Sequence, residues 1–383
     1  MNTLDHFSKS RIAIVKCGDY QVDKVYEAVK ESVDLLGGMG AFIGDGDRVL
    51  LKPNLLSGKP QERAVTTHPS VVFAAARLVK EAGGVPYIGD SPGIGNLRRV
   101  AEKTGMKKVA DDMGIELMEF SEIVDVENKR GHVFKRFEIA KAFFEVDAVI
   151  NLPKLKTHSQ MVLTLGVKNN FGLVVGNRKA AWHLKAGLDV NFFAQMLVDL
   201  YLLIQPKLTV VDGITGMEGD GPGSGDPIDI GLIFTGIDCV ALDVVISQVL
   251  GVDPDKVFTT RIAKQRGIGK TCLKDIDVLG ERLEEIKVRG FKLPKIHDIG
   301  FRLPRFLSNL IKDLVTLKPA IDHTKCGSCQ VCIDSCPPQT MRMVDGKITI
   351  DYRSCIRCFC CQELCPDGAV KIKKSWLSSL PSF

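Results

Sequence analysis

A chain of 383 residues exceeds one small module and, at ~100–200 residues per domain, holds two or three domains. Its 45% hydrophobic and 25% charged content excludes disorder as the main state, and no apolar run reaches the ~18 residues of a membrane span. The 7% aromatic content argues against a base-stacking nucleic-acid binder, whereas twelve cysteines in a chain of net charge +5 point to metal or redox chemistry. The opening MNTLDHFSKSRIAIVKCGDY carries no export signal, so the expected location is cytoplasmic, where cysteines stay reduced.

From the N-terminus to about residue 286, strand-like and helix-like segments alternate. Residues 11–17 and 47–51 read as buried strands, and 70–82 as a helix closed by Gly83-Gly84. A strand at 85–89 precedes a helix over 97–113 that is interrupted at Gly105. Short apolar strands follow at 148–152 and 208–211. Residues 191–204 form an amphipathic helix stopped at Gln205-Pro206, and 228–235 and 239–250 add a strand and a helix. This alternation predicts an α/β fold with a mainly parallel sheet covered by helices.

Such sheets place ligands at the carboxyl ends of their strands. Polar residues gather there: Lys52 and Asn54 after 47–51, Asp90 and Ser91 after 85–89, and Asp212 and Asp243 beyond later strands. Lys154, Lys156 and His158 lie two apart after 148–152, so in an extended segment they share one face and suit an anionic ligand such as a carboxylate or phosphate. Lys168 and Asn169 add to that group, and His158 is a candidate proton donor. The alternative is a solvated strand edge decorated with lysines. The glycine-rich loop 216–227 offers amides to an anion and Glu218, Asp220 and Asp226 to a hard cation, or is a mobile surface loop. Gly93-Ile94-Gly95 lacks the third glycine of a dinucleotide fingerprint, and at 267–271 Lys264 replaces the first glycine of a phosphate loop.

Residues 287–322 form a basic linker. Between 287 and 318, eight Lys or Arg against two Asp give +6, more than the whole chain. Phe306, Leu307, Leu310, Ile311, Leu314 and Val315 form a helical stripe that packs on the neighbouring domain or docks on a membrane surface or acidic partner.

Nine of the twelve cysteines fall between Cys326 and Cys365. Cys326, Cys329, Cys332 and Cys336 precede Pro337, and Cys355, Cys358, Cys361 and Cys365 precede Pro366. Each run is C-x2-C-x2-C-x3-C-P, the spacing of bacterial two-cluster ferredoxins, in which the fourth cysteine ligates the other cluster. The ligand sets then cross. Cys326, Cys329, Cys332 and Cys365 are expected on one 4Fe–4S cluster, and Cys336, Cys355, Cys358 and Cys361 on the second; paired zinc sites are the alternative. Asp345-Gly346 between apolar segments signals a hairpin, and 370–372 supplies a further strand. The expected module is a small α+β ferredoxin-like domain over 323–374, with 375–383 as a tail. Cys360 is either a redox-active spare thiol or a small buried residue beside a cluster.

Together, Lys52-Pro53-Asn54-Leu55, Pro153-Lys154-x-Lys156-Thr157-His158, Gly166-Val167-Lys168-Asn169-Asn170-Phe171-Gly172, Asp212-Gly213 and Asp238-x-x-Ala241-Leu242-Asp243 resemble the domain of unknown function 362 family, and Cys355–Pro366 resembles the ferredoxin tail of many members. The resemblance implies an iron–sulfur protein common in anaerobes and supplies no substrate. The expected function is an oxidoreductase in which two 4Fe–4S clusters carry electrons to an anionic small molecule in the α/β domain. A redox partner protein (ferredoxin, flavodoxin or reductase) and a small-molecule ligand are the expected partners, with no nucleic acid. A further cation or anion is an open possibility. The competing readings are a non-enzymatic electron carrier or adaptor and an iron–sulfur sensor.

Overall fold

The computed structural model describes residues 9–176, 178–187, 189–294 and 317–373. Its first twelve strands are β1 (Ser10–Lys16), β2 (Arg48–Pro53), β3 (Val85–Ile88), β4 (Glu116–Leu117), β5 (Ile123–Glu127), β6 (Arg136–Ala140), β7 (Ala148–Leu152), β8 (Lys154–His158), β9 (Val162–Thr164), β10 (Leu208–Glu218), β11 (Asp226–Gly236) and β12 (Ile276–Gly280). Ten of them form one sheet in the order β12-β1-β11-β10-β7-β2-β3-β4, with β8 beside β10 and β9 beside β8. Most pairings are parallel, as alternating strands and helices require. The exceptions are β11, antiparallel to both β1 and β10, and β9, antiparallel to β8. The segment expected as an independent strand at 228–235 is the return arm of a β10–β11 hairpin, whose connection is too short for a helical crossover.

Successive residues of a strand face opposite sides, and here both sides are covered. Ile12, Ile14, Leu50, Val149 and Val211 pack under helices Val190–Ile204 and Cys239–Val249. Ala13, Val15, Val49, Leu51, Ile150 and Val210 pack under Val22–Asp34 and Pro69–Glu81. That double burial is why these strands read as continuous apolar runs. Asp189 and Asp238 start the first pair of helices by accepting two backbone N–H groups each. Gly105, at φ 79°, splits the 97–113 segment into helices Leu97–Thr104 and Met106–Met113.

In the small domain, Met341–Val344 pairs with Lys347–Ile350 across Asp345-Gly346, both of which take positive φ. Val370–Lys373 pairs not with that hairpin but with Lys318–Ile321, so the domain takes in residue 318, ahead of the boundary expected at 323. The apolar stripe from Phe306 to Val315 lies outside the described residues. No helix among the described residues is long and apolar enough to cross a membrane.

Candidate functional site

Where strands end, the α/β domain meets the ferredoxin-like domain around a cavity of about 310 Å³. Asn54 follows β2, Lys156 and His158 sit on β8, Lys168 and Asn169 belong to helix Gly166–Asn169, and Lys179 and His183 to helix Arg178–Ala186. The opposite wall is Asp334 and Ser335 from the first cysteine run and Cys360, Glu363 and Leu364 from the second.

The cationic groups here are costly. Lys168 is 8% exposed, and its Nζ lies 5.0 Å above the Phe171 ring. It makes no ion pair among the described residues; burial holds its pKa down, with Glu363 acting against that. Lys156 is 1% exposed and donates to the Val65 carbonyl at 2.6 Å. Burial pushes it down to about 7, partly offset by Glu363. Lys179 donates to the Ser91 carbonyl, and burial lowers it to about 8.

His158 is 1% exposed, and its Nδ1 accepts N–H groups of Gln160 and Met161 at 3.1 and 3.3 Å. Two donors on Nδ1 place the ring proton on Nε2. Burial, then Lys168, His183 and Lys156, hold the imidazole well below its ordinary pKa, so it is neutral. Its Nε2 lies 3.7 Å from Glu363 Oε2. His183 stacks on Phe193 at 4.3 Å and is lowered to about 3 by burial and Lys168. Asn54 Oδ1, His158 Nε2, Thr164 Oγ1, His183 Nδ1 and Ser335 Oγ are buried, lie in residues that line the cavity, and have no hydrogen-bond partner among the described residues. Buried polar atoms left unpaired in one place mark a site that a ligand or water completes.

The remaining candidates stand behind this wall. Lys52 is fully buried and pairs with Asp90 at 2.9 Å, while the other Asp90 oxygen accepts the Leu55 N–H at 2.8 Å. Lys154 does not join Lys156 and His158 at the cavity. It pairs with Asp212 at 2.9 Å and donates to Tyr20 Oη at 2.7 Å; Tyr20 donates to Asp212 at 2.8 Å. The cause is register. Lys154 lies opposite Asp212 and Lys156 opposite Met217, so β10 is irregular between them. Asp243 accepts the N–H groups of Gly166 and Val167 at 2.8 and 3.3 Å and so orients the segment carrying Lys168 and Asn169; burial raises its carboxyl to about 8. Asn169 donates to Asn151 at 2.8 Å and accepts from Asn54 at 2.9 Å.

Among the described residues, the carboxylates of the glycine-rich loop do not gather at one ion site. Glu218 accepts the Lys292 N–H at 2.9 Å and pairs with its Nζ at 3.0 Å. The Asp220 carbonyl accepts Gln362 Nε2 at 2.7 Å, and Lys59 Nζ donates to Gly223 O at 2.6 Å and Cys365 O at 3.4 Å. The hairpin tip therefore clasps the second cysteine run. Sequence reasoning missed Lys179, His183, Thr164 and Glu363. The four-residue spacing of Lys179 and His183 on one helix face was the available signal.

Two smaller cavities lie within the ferredoxin-like domain. One is lined by Cys326, Cys329, Cys332 and Cys365, the other by Cys336, Cys355, Cys358 and Cys361. Burial, then Cys365, Cys326 and Cys329, push the Cys332 thiol up to about 11. Among the described residues, no three ligating side chains converge on one ion. Four thiols spread round a shared space fit a cube with iron at its corners, and thiols that raise one another's pKa are ones that bound iron would deprotonate.

Residues 49–248 match the family described as Domain of unknown function (DUF362), and residues 318–366 match a 4Fe-4S dicluster domain. The latter indicates 4Fe–4S binding and iron–sulfur electron transfer. Thylakoid-associated protein sll1697 of Synechocystis sp. (strain ATCC 27184 / PCC 6803 / Kazusa) is 41% identical over 263 residues, which cover 68% of this chain and 80% of that protein.

Proposed function

The chain belongs to the DUF362 family, and we propose that it is an oxidoreductase passing single electrons to a small anionic molecule held in the cavity between its two domains. One observation carries this reading: buried lysines and the loop between Cys358 and Cys361 line the same cavity. Cys326, Cys329, Cys332 and Cys365 hold one cluster, and Cys336, Cys355, Cys358 and Cys361 the second. When bound, 4Fe–4S clusters supply one-electron transfer at potentials set by charge, hydrogen bonding and exposure. Lys168 and Lys156 attract the anion, and Lys179 adds charge behind them. His158, fixed as the neutral Nε2–H form, donates a hydrogen bond to an acceptor on the ligand. Asp243 positions Lys168, and Asp90 fixes Lys52.

The test is a thermal-shift screen of small carboxylates and phosphate esters against anaerobically purified protein with reconstituted clusters. A hit that stabilises the native chain and loses its effect in Lys168→Gln is expected. A screen without hits favours the electron carrier or sensor, and the enzyme reading fails. The printed name of the cyanobacterial relative favours a second property, contact with a membrane surface, for which the +6 segment 287–318 is suited. Flotation with anionic vesicles at low and high salt tests it.

A further inference from the structure

The two cysteine runs fold into the same loop twice. Ser328 and Arg357 occupy equivalent places with φ of 55° and 53°, and Gln330 and Phe359 do so with 61° and 58°. Their surroundings are opposite. Gly327, Ser328, Cys329 and Gln330 are exposed, whereas their counterparts run from half-buried Ile356 to buried Arg357, Cys358 and Phe359. The following residues Cys360, Cys361 and Gln362 are buried too, and Cys360 forms cavity wall. Exposed Gln330 in one loop corresponds to buried Phe359 in the other, while exposed Ser328 corresponds to buried Arg357. Two positions of the cavity wall adjoin ligands of the second set, since Ser335 precedes Cys336 and Cys360 sits beside Cys361 and two from Cys358; from the first set only Cys365, beside Leu364, adjoins the wall.

We infer that the chain is a directional relay, with electrons taken up through the exposed loop Cys326–Cys332 from a one-electron carrier protein and delivered to the cavity through the buried loop Cys355–Cys361. The delivery half rests on the reading of the cavity as a ligand site; the uptake half does not. Each event would move one electron, lost by the carrier and gained by the cavity ligand; Cys326, Cys329, Cys332 and Cys365 would hold the group nearer the carrier, and Cys336, Cys355, Cys358 and Cys361 the group nearer the cavity. Distance governs this order, because the exposed loop is the nearest approach for an external carrier. Cys360 then packs between ligand loop and cavity and needs no redox change of its own.

The experiment uses the full chain with both clusters and no cavity ligand, so its outcome is independent of the ligand screen. In an anaerobic potentiometric titration followed by electron paramagnetic resonance, Lys325→Glu alters charge beside the exposed loop and Lys168→Gln alters it beside the cavity. Each is expected to change the reduced-to-oxidised ratio of a different cluster, roughly threefold at fixed potential, where a tenfold change is 59 mV for one electron. Stopped-flow reduction by the methyl viologen cation radical, which gives up one electron and becomes the dication, reads the uptake side. Lys325→Glu speeds it roughly threefold at low salt, with the gain vanishing at high salt, and Arg353→Glu on the outer face of the second run speeds it less. The same cluster responding to both Lys325→Glu and Lys168→Gln, or Arg353→Glu matching Lys325→Glu in rate, overturns the assignment.

Discussion

Gly223→Ala tests whether the hairpin clasp holds the cavity wall in place. A Cβ at residue 223 would lie 2.2 Å from the Glu363 carbonyl oxygen and 3.3 Å from its carbon. A carbon–oxygen contact settles near about 3.3 Å, so the hairpin tip and the second cysteine run must part by about 1 Å. Glu363 O is backbone, and no side-chain rotation relieves the clash. Gln362 Nε2 to Asp220 O and the Lys59 ammonium, itself held by Gly223 O, to Cys365 O cross this seam. A neutral hydrogen bond is worth about 1 kcal/mol and a charged one about 2, so their loss weakens docking by about 3 kcal/mol, or roughly a hundredfold in the opening equilibrium. Hydrogen exchange by mass spectrometry on the cluster-loaded protein reads that number over residues 357–363. Gly40→Ala, with nothing within 4 Å of the new Cβ, serves as control. Exchange within about threefold of the unaltered chain in Gly223→Ala would refute the claim that this seam fixes the wall.

Lys154→Met leaves the buried Asp212 carboxylate without its cationic partner, with Tyr20 Oη and the His68 N–H still donating to it, and is expected to cost about 3–5 kcal/mol in urea unfolding, part of it recovered when Asp212→Asn is added. Lys156, lowered to about 7 against an ordinary 10.5, keeps its proton longer unfolded than folded. This group therefore makes stability rise from pH 7 toward 10.5, a slope that Lys156→Met removes, while affinity for the anionic ligand falls over the same range. Iron and acid-labile sulfide are each expected near about eight per chain, falling to about four in Cys329→Ser and in Cys355→Ser; zinc in place of iron refutes the cluster reading.

What the sequence revealed and what it hid divide along chain distance. The cysteine runs are local: ligand type and spacing sit within a few residues, and the hairpin signal at Asp345-Gly346 is equally local. The layered α/β class is legible because apolar strands and capped helices alternate at short range. The cavity is not local. It joins Asn54, Lys168, Lys179, Ser335 and Glu363, which only tertiary packing brings together. The parting of Lys154 from Lys156 is the clearest loss. Two-residue spacing puts them on one face of a strand, but which β10 residue stands opposite each depends on register, and register turns one lysine into half of an ion pair with Asp212. The glycine-rich hairpin misled for a related reason: the Gly219 N–H and the Glu218 carboxylate are spent on Lys292, and the Asp220 carbonyl on Gln362.

The energetics of the cavity favour an occupant over a purely structural role. Taking an ammonium out of water costs several kcal/mol, and the fold recovers this at Lys52 and Lys154 with a carboxylate within 2.9 Å of each. It does not do so at Lys168, where a ring face is the nearest compensation and Glu363 acts only at longer range. Replacing Lys168 by an apolar residue of similar size would stabilise the folded chain, so a lysine there serves something other than folding. Five unpaired polar atoms share its cavity; His158 Nε2, Thr164 Oγ1 and Ser335 Oγ can donate to an anionic ligand, which would offset the Lys168 charge as well, while Asn54 Oδ1 accepts and calls for a hydroxyl or water. Lys168→Met is therefore expected to raise resistance to urea while abolishing ligand binding, and a variant that loses stability instead would show that Lys168 serves the fold and refute this reasoning.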